Sequence, residues 1–61
     1  MCESKVYLLK NGEETLLMED VVKIEVDGGK VILQGLLGEK MEVEGRITLM
    51  DMRSHKILLE G

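Results

Sequence analysis

Sixty-one residues hold one domain, spanning 1–61, and exclude a second; a chain this short is marginal unless a metal, a disulfide or a partner subunit adds stability. Eight basic against twelve acidic residues give a net charge of −4, a sign that repels phosphate backbones and anionic membranes. The single cysteine rules out an internal disulfide and points to a reducing cytoplasm, while no apolar run nears the roughly 20 residues of a membrane helix and no leader-like segment opens the chain.

In chain order, residues 6–9 and 15–18 flank Asn11-Gly12, a dipeptide that tolerates the positive φ of a tight turn, and form a predicted hairpin. Residues 22–27 read Val-Lys-Ile-Glu-Val-Asp, the strict alternation of a half-buried strand, which pairs across Asp27-Gly28-Gly29 with residues 31–34. Gly35 and Gly38 mark the next turn, residues 41–43 the next strand, and Gly45 a bulge or sharp bend before residues 47–50. Arg53-Ser54-His55 turns the chain into a last strand over residues 56–60. Six or seven short strands predict an all-β fold: a small SH3-like or Sm-like β-barrel, or a strongly twisted antiparallel sheet.

The core has to be made from Val, Ile, Leu and Met, because Tyr7 is the only aromatic residue. Residues 6–9, 31–33 and 57–59 are apolar on both faces, and Leu36-Leu37 falls in a loop. One small barrel cannot bury all of them. Fully burying a Leu or Ile stabilises by about 1.5–3 kcal/mol, so leaving several outside forfeits much of a small total. A partner surface follows, with a symmetric homodimer the commonest form.

Cys2 is the candidate metal ligand. Should Met1 be removed, the Cys2 amine and thiolate close a five-membered chelate ring on one ion; should Met1 remain, its amine, the Cys2 amide nitrogen and the Cys2 sulfur form two fused rings. Nitrogen with soft sulfur favours ions late in the first transition row, planar coordination indicating nickel(II) or copper(II) and a tetrahedron zinc. Two Cys2 residues brought together by a twofold axis complete a four-coordinate site. Against this stands the plain alternative of an incidental thiol near the end of a chain.

His55, the sole imidazole, reads as an exposed turn residue, with an auxiliary ligand or proton acceptor as the alternative. Met18, Met41, Met50 and Met52 read as core filling at strand positions rather than a copper(I) site. Glu13-Glu14, Glu19-Asp20 and the carboxylates between Glu39 and Glu44 read as solvated strand edges. No catalytic residue is predicted: a Cys2–His55 pair lacks a third orienting group and an oxyanion loop. Small barrels also serve as RNA-binding modules, but the acidic balance, the missing aromatics and the scattering of Lys5, Lys10, Arg46, Arg53 and Lys56 argue against nucleic acid.

Taken together, Met-Cys-Glu-Ser-Lys-Val-Tyr-Leu at residues 1–8, Asp-Gly-Gly at 27–29 and Arg-Ser-His-Lys-Ile-Leu-Leu-Glu at 53–60 give nearly the whole chain a form that resembles the CooT-like family of small cytosolic proteins. The resemblance implies a cytoplasmic homodimer binding one nickel(II) at its interface through Cys2 and the adjoining backbone nitrogens. It implies a metallochaperone or nickel buffer whose client is a nickel enzyme such as carbon monoxide dehydrogenase. Members of that family are often labelled predicted RNA-binding proteins, which keeps an RNA-binding module as the alternative function. His55 is not part of the family motif.

Overall fold

The computed structural model describes residues 4–61. Six strands follow one another: β1 (Ser4–Lys10), β2 (Glu13–Asp27), β3 (Lys30–Gly35), β4 (Lys40–Glu44), β5 (Arg46–Asp51) and β6 (Lys56–Glu60). They form one sheet in the order β4-β3-β2-β1-β6-β5. No helix of the described chain is long and apolar enough to cross a membrane.

Both predicted hairpins form where the turn chemistry places them. Asn11 and Gly12 have φ of 55° and 79°, the two positive values of a type I′ turn, and Val6 meets Met18 while Leu8 meets Thr15 across it. At the second hairpin Gly28 alone carries a positive φ, 64°, as a type II′ turn needs at its first central position, and Val26 faces Val31. The two segments read as separate strands at 15–18 and 22–26 are one strand. Between them Asp20 takes φ 54°, and the pairing slips a residue on either side of Val21, in the ladder to β3 and in that to β1. This bulge bends the ribbon without ending it, because Glu19-Asp20 offers neither the glycine nor the proline that would stop a strand.

The expected small β-barrel is corrected by the strand order. β4 and β5 are neighbours in sequence, separated by Gly45 alone, yet lie at opposite edges of the sheet. The sheet must therefore curl until its edges touch at that one residue, whose N–H donates to the Gly29 carbonyl at 2.9 Å. Closure needs the two edges to pair along their length, and β4 and β5 share no ladder. The antiparallel expectation is corrected as well. β1 and β6 run parallel, Lys5 beside Lys56 through Leu9 beside Glu60, which makes the sheet mixed.

Curling gives the sheet one enclosed face. Val6, Val21, Val31, Leu33, Ile57 and Leu59 are buried there, with Leu8, Met18, Ile24, Met41, Val43 and Ile47 packed around them. Met18 and Met41 fill the core as predicted, whereas Met50 and Met52 are exposed. They lie on the edge strand β5 and in the turn beyond it, where no further strand covers them.

Candidate metal-binding end of the sheet

Register gathers several segments at one end of the sheet. Ser4 of β1 pairs with Val21 of β2, and Val21 pairs with Gly35 of β3. The β3–β4 loop, residues 36–39, therefore emerges at the end where β1 begins. On the other side, parallel pairing sets Lys56 beside Lys5, and the Lys5 N–H donates to the His55 carbonyl at 2.9 Å. The β5–β6 turn, residues 52–55, thus stands at the same end.

Cys2 precedes Ser4 by two residues and lies outside the described residues. Among the described residues, no three His, Cys, Asp or Glu side chains converge as a metal group. Glu13-Glu14, Glu19-Asp20 and the Glu39–Glu44 carboxylates are exposed and strung along strands or loops. Several bind cations of the chain itself: Glu14 holds Lys56 at 2.9 Å and Glu42 holds Lys30 at 3.5 Å.

His55 departs from the exposed turn residue expected of it. Its φ is 55° and the residue is half-buried; Nδ1 is shielded from solvent with no hydrogen-bond partner among the described residues. The preceding turn is pinned by Asp51, whose Oδ1 accepts from the Arg53 N–H at 3.0 Å. That bond holds the Asp51 carboxyl below the usual carboxylate range. Sequence pattern found the turn but not the burial of its histidine, because burial depends on β6 lying beside β1, fifty residues away in the chain.

The five cations weighed for a nucleic-acid face do not form a free patch. Arg46 pairs with Glu60 at 3.2 Å, Arg53 with Asp51 at 3.5 Å and Lys56 with Glu14. Lys56 also lies over the Tyr7 ring, 5.1 Å from its centre, so the one aromatic surface is covered by a cation. The Glu14 hydrogen bond raises the Lys56 pKa.

A curled, six-stranded mixed sheet whose edges meet at Gly45 without pairing defines a class of small all-β protein. Its fold is similar to the crystal structure assigned to CooT of Carboxydothermus hydrogenoformans, with a TM-score of 0.87, 25% identity, and 97% of this chain and 95% of that one covered. An uncharacterized protein of Methanocaldococcus jannaschii is 44% identical over the full length of both chains. Another from Archaeoglobus fulgidus is 54% identical over 44 residues, 72% of this chain and 98% of that one. The family model described as CO dehydrogenase accessory protein CooT matches residues 1–60. The chain belongs to the CooT family.

Proposed function

We propose that this protein is a cytoplasmic, non-catalytic nickel(II)-binding protein. In this reading two chains share one ion through their Cys2 residues and deliver or buffer it for the maturation of a CO dehydrogenase. The observation that carries the reading is the family match, which runs from residue 1 to residue 60 and so includes Cys2. The described residues offer no rival constellation of ligands.

The chemistry suits cargo handling. A thiolate with adjoining backbone nitrogens gives a strong-field donor set that nickel(II) accepts in a plane. Each chain supplies only part of the coordination shell, so an incoming ligand can displace donors one at a time. Binding requires the thiol and the nitrogen donors to lose protons, so affinity falls with pH and fades below about pH 6.

Titrating nickel(II) into freshly reduced protein, while recording thiolate-to-metal charge-transfer absorbance and mass together, tests the proposal. The expected result is a break at one ion per two chains. Cys2→Ala is expected to abolish the band and leave the far-UV circular dichroism unchanged. Unaltered nickel affinity in Cys2→Ala would sink the proposal.

A further inference from the structure

The outermost strands of the sheet, β4 and β5, each present a row of backbone N–H and C=O groups that no other strand of the described chain pairs with. The two edges are built differently. β5 pairs with β6 through a register shift between Ile47 and Leu49, and such a bulge twists an edge out of the shape that pairing needs. β4 pairs with β3 residue for residue, from Lys40 opposite Gln34 to Glu44 opposite Lys30, with no shift. Its free side is therefore a regular five-residue template. The side chains of β4 alternate as strictly. Met41 and Val43 end two cross-strand rows, Ile24-Leu33-Met41 and Val26-Val31-Val43. Leu33 and Val31 in the middle of those rows are fully buried, whereas Met41 and Val43 at the edge are only half-buried. A strand laid beside β4 would cover what the two rows leave open.

Charge says what kind of strand. Residues 19–44, which form the second half of β2 with β3 and β4, hold three basic and seven acidic side chains. That balance of −4 equals the net charge of the entire chain, and the remaining residues carry five of each sign. Two of the three lysines are already engaged, Lys23 with Glu25 at 3.9 Å and Lys30 with Glu42 at 3.5 Å. Exposed Glu44 meets no cation among the described residues. The field along this edge is negative, so it favours a basic segment and repels phosphate-bearing partners. A second copy fits badly. Pairing all five residues of two β4 strands antiparallel sets Glu42 directly against Glu42, and like charges so placed oppose the ladder.

We infer that the free edge of β4 is a docking site for an extended, basic segment of a partner polypeptide, which joins the sheet as an added strand. Main-chain hydrogen bonds hold the segment to β4. Its apolar residues, at alternate positions, cover Met41 and Val43, and its basic residues stand opposite Glu42 and Glu44. This edge takes no part in the nickel reading, and the two stand or fall separately.

The acetylated, amidated peptide Lys-Val-Lys-Val-Thr is the antiparallel complement of β4 read from Glu44 back to Lys40. Titrating it into the isotope-labelled full chain at low salt, followed by NMR, tests the site. The expected result is shifted, exchange-protected amides along β4 and unchanged amides along β5. Glu-Val-Glu-Val-Thr, with the charge reversed, is expected not to bind. Neither is Lys-Pro-Lys-Pro-Thr, which keeps the charge but cannot form a regular ladder. The double variant Glu42→Lys/Glu44→Lys is expected to lose affinity for the basic peptide about tenfold or more, two cross-strand charge pairs having turned from attraction to repulsion, and to gain affinity for Glu-Val-Glu-Val-Thr, with far-UV circular dichroism unchanged. Glu44→Lys alone leaves the Lys30–Glu42 pair in place and is expected to show the smaller loss of one pair. Shifts away from β4, equal binding of the proline peptide, unaltered affinity in both variants, or no shift at millimolar peptide overturns the inference. So do β4 shifts that follow protein concentration without peptide, which assign the edge to a second copy. Cys2→Ala is expected to bind the peptide as wild type does while losing nickel, so failure of either reading is seen apart from the other.

Discussion

Gly45 is the residue on which the curl of the sheet turns, and replacing it with alanine gives a calculable penalty. Its φ is 150°, and a Cβ there would stand 2.6 Å from the Glu60 carbonyl oxygen and 3.2 Å from its carbon. The obstacle is backbone of β6, which cannot rotate away as a side chain could. Backbone held in a region that L-residues avoid costs about 1–3 kcal/mol. Moving the joint also weakens the Gly45 N–H bond to Gly29, worth about 1 kcal/mol. The sum is about 2–4 kcal/mol, against about 3–9 kcal/mol for a whole domain of this length.

At about 4–8 °C per kcal/mol for a small domain, the penalty of about 2–4 kcal/mol means that Gly45→Ala is expected to lower the thermal midpoint by about 8–32 °C. Far-UV circular dichroism at fixed protein concentration measures it. Gly12→Ala is the comparison. Gly12 also has a positive φ, 79°, but nothing lies within 4 Å of its would-be Cβ, so only the left-handed penalty of about 1–2 kcal/mol applies. If Gly45→Ala unfolds no earlier than Gly12→Ala, the two sheet edges do not meet at this joint and the argument for the curl fails.

Leu59 is fully buried at the centre of the core, between β1 and β5, and Leu59→Ala is expected to cost about 2–5 kcal/mol in urea denaturation. For Asp51 the folded pKa is depressed by the Arg53 N–H. Its contribution to stability is therefore complete above the ordinary carboxylate value and disappears as pH falls through the lower folded one; an NMR titration should place its midpoint below that of a free aspartate, and Asp51→Asn should flatten this part of the acid limb. For Lys56 the folded pKa is raised by Glu14, so its contribution is complete below the ordinary lysine value and is lost as pH rises through the higher folded one. Lys56→Met should remove that alkaline loss, as followed by urea midpoints between neutral and strongly alkaline pH.

Local chemistry made most of the strands legible. Asn11-Gly12 and Asp27-Gly28-Gly29 carry the conformations that two-residue hairpins demand, and the alternation at residues 22–27 identifies a half-buried strand, so both hairpins pair the segments expected of them. The excess of apolar residues also announced itself, since Leu36 and Leu37 have no place in a core of this size and stand in solvent. Residue order alone, however, joined β2 wrongly into two pieces. Asp20 has the composition of a turn but bends a continuous strand, because its neighbours remain paired on both sides.

What the sequence determined by itself was the all-β class, the hairpins and the family, for these rest on contacts between near neighbours or on residues in a fixed order. What the tertiary structure alone decided was the parallel pairing of β1 with β6, the curl that meets at Gly45 without closing, and the company kept by the start of β1. A parallel pair leaves no turn signature, since its strands are joined through the rest of the chain. The gathering of the 36–39 loop and the His55 turn around that strand follows from the pairing, and no local pattern encodes it.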